Sequence, residues 1–81
     1  MTGPRRLNEP RAVAVRAGDD GAPRAVGPVA VEAVREEWLV EDRWWTPRPL
    51  RRHYFEVAMA DGRALTVFRD PGTGRWFRQR A

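Results

Sequence analysis

Two alternating runs meet at Asp61-Gly62, and that junction restricts the chain more than any other feature of its sequence. In the run from Arg51 to Met59, the residues Phe55, Val57 and Met59 share one face of an extended chain, and Tyr54, Glu56 and Ala58 share the other. A period of two is a strand signal. Asp-Gly between two such runs is a strong hairpin signal, because a type I′ turn needs positive φ at both central positions. A two-residue loop at Asp61-Gly62 sets Ala58 opposite Leu65, Val57 opposite Thr66, Phe55 opposite Phe68, Tyr54 opposite Arg69 and His53 opposite Asp70. That register predicts one aromatic pair and one cation–π pair.

Asp70-Pro-Gly-Thr-Gly74 repeats the device with a longer loop, in which proline suits the first central position and either glycine can take the left-handed one. Arg75 to Gln79 is then the last strand of a three-stranded meander. Both faces of its middle hairpin carry apolar residues, so one face is expected to form the core and the other to be partly covered by N-terminal strands. Upstream, Arg11 to Arg16 reads as a strand with Val13 and Val15 on one face, Gly18 to Pro23 supplies turn residues, and Arg24 to Val26 reads as a weak second strand. Residues 29–42 are ambiguous. Val31, Val34 and Trp38 fall at helical spacing, while Val34, Trp38 and Val40 share a strand face with Glu36 between them. Pro47 and Pro49 end whatever precedes them.

Together these signals predict an all-β domain over residues 11–81, behind a flexible N-terminal tail at residues 1–10. Its expected form is a small antiparallel meander closing into a bent sheet or SH3-like, partly open barrel of about five to six strands. With 81 residues and no cysteine, the chain has neither a large core nor disulfides to reinforce it. The absence of a signal-peptide h-region after Arg5-Arg6 and of any membrane-length apolar run predicts a cytoplasmic protein.

Charge is divided unevenly. Residues 1–42 hold six arginines against eight acids, and residues 43–81 hold nine arginines against three. A basic segment with interleaved aromatics is the footprint of a nucleic-acid binder, since arginines pair with phosphates and aromatic faces stack on bases. The choice of arginine is itself uninformative. All fifteen basic residues are arginine, and serine and isoleucine are absent, as GC-rich codon usage would produce.

Catalytic signals are sparse. The chain has no cysteine or serine, and the single His53 cannot make a multi-histidine zinc site. Opposite Asp70 it reads as half of a strand-end ion pair. Glu36-Glu37 and Glu41-Asp42 lack the spacing of calcium loops and read as a solvated acidic rim. Gly72-Thr-Gly74 lacks the lysine and helix of a phosphate loop and reads as a turn. No catalytic residue, metal, cofactor or small-molecule substrate is therefore predicted. Trp38 and Trp76 read first as core residues, because each can bury a large apolar area. Trp44-Trp45 sends successive side chains to opposite faces of an extended chain, so both cannot enter one small core.

Trp38, Trp44-Trp45, Arg52, Tyr54-Phe55, Asp61-Gly62, Phe68-Arg69-Asp70 and Gly74-Arg75-Trp76-Phe77 follow one another in an order and spacing similar to a family of small bacterial domains. The segment Val34–Gln79 resembles the short C-terminal domain of ImuB-type proteins, the catalytically inactive relatives of Y-family translesion polymerases. His53 stands where the polymerase-attached form tends to have Asp, and Leu39 where it tends to have Arg. The resemblance implies an all-β domain, a strand rather than a helix at residues 29–42, and a non-enzymatic accessory role in DNA-damage tolerance through a protein partner or DNA. The residues expected to carry such a contact are Trp44, Trp45, Arg51, Arg52, Arg69, Arg75 and Trp76. The alternative is a stand-alone protein-interaction or structural module with no nucleic-acid role.

Overall fold

A computed structural model describes residues 10–42 and 50–79 of the chain. The expected tail, apart from Pro10, and the turn at Pro47 and Pro49 lie outside the described residues. Those described form seven strands: β1 (Arg11–Val13), β2 (Val15–Ala17), β3 (Pro23–Val26), β4 (Val29–Asp42), β5 (Leu50–Met59), β6 (Ala64–Asp70) and β7 (Arg75–Gln79). They pair antiparallel in the order β1-β7-β6-β5-β4-β3-β2, as a sheet curled into a half-barrel. The all-β bent sheet is as expected, with seven strands instead of about five to six. Residues 29–42 are strand throughout.

Connectivity explains the curl. Only Ala14 separates β1 from β2, yet β1 pairs with β7 and β2 with β3, at opposite ends of the strand order. Successive Cα atoms are about 3.8 Å apart, so a chain that changes partners within one residue must bring the two ends of the sheet together. The Ala14 carbonyl accepts a hydrogen bond from Gly27 N–H at 2.7 Å, continuing the β2–β3 ladder up to the junction. Two irregularities in β4, at Glu32 and Arg35, set twelve residues from Val31 to Asp42 against ten from Leu50 to Met59. Such bulges bend a strand and increase its local twist.

The core lies on the concave side. Phe55, Val57 and Met59 of β5, Leu65 and Val67 of β6, Trp76 of β7 and Val26 of β3 are buried together, with Val13, Val15, Val29 and Val31 packed against them. The N-terminal strands therefore cover the core face. They were expected to shield the opposite face, which instead carries Trp38, Tyr54, Phe68 and Phe77.

The β5–β6 register differs by one residue from that expected. Val57 pairs with Leu65, Phe55 with Val67, Tyr54 with Phe68 and His53 with Arg69. The loop has three residues: Gly62 N–H donates to Met59 C=O at 2.9 Å, and Met59 N–H donates to Arg63 C=O at 2.8 Å. Gly62 has φ 92°. This is a type I turn closed by a left-handed glycine, another loop that Asp-Gly supports. Burial favours it, because a one-residue slip turns a strand over. The observed register sends Leu65 and Val67 inward, whereas the two-residue loop would have buried Ala64, Thr66 and Phe68 on that side.

The same construction occurs between β2 and β3. Gly21 N–H donates to Gly18 C=O at 2.9 Å and Gly18 N–H to Ala22 C=O at 2.9 Å, while Gly21 has φ 83°. In both loops the aspartate before the glycine accepts from the backbone N–H two residues on, Asp20 from Ala22 at 3.0 Å and Asp61 from Arg63 at 3.1 Å. Between β6 and β7 the left-handed position falls to Gly74, with φ 75°.

Gly62→Ala forces a side chain into the left-handed region and is expected to cost about 1–2 kcal/mol, seen as a lower urea midpoint. Gly62→Asn should cost less. Asp61 supplies a pH test. The backbone N–H of Arg63, helped by its guanidinium, holds the Asp61 carboxyl below its ordinary value. A group with a lowered folded pKa stabilises fully above its unfolded value and loses that contribution as pH falls through the folded value. Thermal melts taken from about pH 5 downward should show a shallower acid decline for Asp61→Asn than for the parent chain.

Candidate functional site

Antiparallel partners lie on the same side of the sheet, so the register assigns each arginine and aromatic residue to a face. On the convex face, Trp38 of β4 pairs with Tyr54 of β5, Tyr54 with Phe68 of β6, and Phe68 with Phe77 of β7. These four residues form one row across four strands. Trp38 and Tyr54 are nearly parallel, 7° apart with centroids at 5.3 Å; Tyr54 and Phe68 lie at 4.9 Å, and Phe68 and Phe77 at 5.2 Å and 21°. Parallel rings this close must overlap, because rings lying side by side in one plane would be further apart. The rings therefore stand on the sheet with their faces turned to one another.

Arginines complete the row. The Arg52 guanidinium lies over the Phe68 ring at 4.6 Å, and its Nη1 donates to the Tyr54 hydroxyl at 3.4 Å. Arg75 lies over Phe77 at 5.6 Å. Phe68 is only 2% exposed although it is outside the main core, so the row is a second apolar layer covered by cations. Its inner rings have no free face on which a base could stack.

Of the residues expected to bind, Trp44 and Trp45 lie outside the described residues. Trp76 is buried, with its ring 5.6 Å from Phe55 and only its margin reaching a surface depression that it shares with Val13, Val15 and Arg75. Its core reading is correct. Trp38, read first as core, is instead 39% exposed at the open end of the row. The bulge at Arg35 is responsible: it places Val34 on the Val57 side and Trp38 with Val40 on the other, although all three share strand parity.

The four remaining arginines converge on one end of the sheet. Arg51 and Arg52 open β5, Arg69 lies one residue before the end of β6, and Arg75 opens β7. Arg52 and Arg75 are on the convex face, and Arg51 and Arg69 on the concave face beyond the core. Arg51 Nε is 3.4 Å from Glu41 Oε2 in an exposed pair, while Arg69 is exposed and makes no ion pair among the described residues. A depression of about 300 Å³ beside Arg51 is lined by Arg51, Asp70, Pro71 and Gly72. A dyad of exposed arginines beside a turn can hold a phosphate or carboxylate.

His53 is not beside Asp70. It pairs with Arg69 across the ladder, and its Nε2 is 2.7 Å from Glu37 Oε2, with its ring 4.4 Å from Phe55. One acid and one exposed histidine do not make a catalytic constellation. Among the described residues, no group of three or more acidic, histidine or cysteine side chains is placed to hold a metal ion. No helix among them is long and apolar enough to cross a membrane.

The convex row was missed at the sequence level because the expected register separated Tyr54 from Phe68. The signal that could have found it is the shared spacing of Trp38, Tyr54, Phe68 and Phe77 once Leu65 and Val67 are required to point inward. Comparison with protein-family models, curated proteins and solved structures found no match for this chain.

A double-mutant cycle on Trp38→Ala and Tyr54→Ala, read by chemical denaturation, should give a coupling energy of about 0.5–1.5 kcal/mol. An additive result would mean that the two rings do not support each other.

Proposed function

We propose that this protein is a non-enzymatic accessory domain that contacts nucleic acid in DNA-damage tolerance. The observation that carries this reading is the convergence of Arg51, Arg52, Arg69 and Arg75 at one end of a small rigid sheet. The resemblance of Val34–Gln79 to the ImuB-type C-terminal domain supports the cellular setting. The contact is made through phosphates. The exposed guanidinium of Arg69 makes no ion pair among the described residues, and Arg75 is exposed as well, whereas the inner rings of the row, Tyr54 and Phe68, have neighbours on both sides. Binding of this kind is strongly salt-dependent and reads little sequence, because phosphates carry no base identity.

A second reading, a module that binds only protein, is favoured by one observation. Val34, Trp38 and Leu39, the exposed large hydrophobic residues among those described, all lie on β4, a strand that carries none of the four arginines.

Fluorescence anisotropy of labelled single- and double-stranded DNA separates the two. The expected result is binding at low salt whose logarithm falls linearly with log salt. Each of Arg69→Ala and Arg75→Ala should lower that slope by about one. Absence of binding at low salt, or binding that these substitutions leave unchanged, would overturn the phosphate reading in favour of a protein partner. Trp76→Ala is unsuited to the experiment, because it opens the core.

A further inference from the structure

Strand β4 has two dissimilar edges. One is paired with β5 from Val31 to Asp42, while the other meets β3 only at Val29 and Ala30. Among the described residues, nothing pairs with the second edge from Val31 onward. An open edge is a template for another strand, and proteins normally blunt it with charge, bulges or brevity. Here the bulges are confined to the first part, at Glu32 and Arg35, and the rest of the edge is blunted only by the acids Glu36, Glu37, Glu41 and Asp42. Glu36 to Asp42 is a regular strand, and it carries Trp38, 39% exposed, and Leu39, 57% exposed.

We propose that this edge pairs antiparallel with the same edge of a second copy of the chain, about a two-fold axis at Trp38. Charge selects the register. With Trp38 opposite Trp38, Glu37 faces Leu39 of the second copy, Glu36 faces Val40, and Arg35 faces Glu41, so no like charges are directly opposed. Sliding by one same-face step in one direction sets Glu37 against Glu37. A step in the other direction sets Glu37 against Glu41 and Glu36 against Asp42. Like charges directly opposite destabilise a strand pair, so one register is singled out.

The aromatic row supplies the second reason. Tyr54 covers one side of Trp38, and the row ends there at the open edge. Pairing about Trp38 brings the two indoles together on the convex face and joins two four-ring rows into one of eight. The interface is isologous, closes on itself and adds strands by main-chain hydrogen bonds. It leaves Arg69 and Arg75 of each copy outside the interface, while Glu41, which faces Arg35 of the second copy, is also the ion-pair partner of Arg51.

Sedimentation velocity of the full chain over a range of concentrations, without nucleic acid, tests the proposal. A reversible monomer–dimer equilibrium is expected. Leu39→Glu sets like charges opposite each other at Glu37 while replacing a side chain that is mostly exposed, and should weaken dimerisation at least about tenfold. Adding Glu37→Lys to Leu39→Glu restores opposite charges at both symmetry-related pairs and should recover the dimer. Circular dichroism of each variant verifies the fold. Monomer alone at concentrations up to about 1 mM would overturn the proposal. So would a dimer indifferent to Leu39→Glu, or a loss that the second substitution fails to reverse.

Discussion

The pairing of β5 with β6 is the constraint on which the remaining structure depends. Phe55, Val57 and Met59 form the deepest stripe of the core, and they require Leu65 and Val67 on the same side. Once that is met, Phe68 must face outward, and Tyr54 and Phe77 become its neighbours. A three-residue loop ending in Gly62 is the connection that allows this register. The inner core and the outer aromatic row are therefore two consequences of one alignment. Neither can be moved by one residue without turning the other inside out.

A domain of this size buries a smaller fraction of its unfolded surface than a larger one does, and a single core leaves little margin of stability. Two apolar layers on opposite sides of one sheet partly compensate. The concave layer is closed by the N-terminal strands, which reach both ends of the sheet because the chain changes partners at Ala14. The convex layer has no covering element among the described residues and is covered by its own arginines. Arg52 and Arg75 lie over aromatic rings, whereas Arg51 and Arg69 project beyond the core on the opposite face. The same residue type thus serves packing on one face and stays available for anions on the other.

The two proposed surfaces occupy different parts of the molecule. The arginine end is built from the starts of β5 and β7 and the end of β6, where the local balance of charge is basic. The open edge belongs to β4, whose exposed residues from Glu36 to Glu41 are acidic and apolar. The charge asymmetry between the two halves of the chain is expressed in space as two adjoining surfaces, which meet at the Glu41–Arg51 pair.

Local chemistry alone determined the strands and turns. Alternation in β5, the glycines that accept positive φ at Gly21, Gly62 and Gly74, and the interruption at Gly27-Pro28 are properties of a few neighbouring residues. They suffice for the meander from β5 to β7, but leave residues 29–42 open between helix and strand. The clustering of basic residues toward the C-terminal half was equally plain, and it included the four arginines that meet at one end. What tertiary structure decided was register. Asp-Gly is compatible with loops of two or three residues, and only the competition for the core between Val67 and Phe68 chooses between them. The partner of His53, the outward row and the exposure of Trp38 follow from that choice and from the bulge at Arg35. Each depends on residues brought together across strands, and a period-two pattern gives the same reading along one strand whichever neighbour it meets.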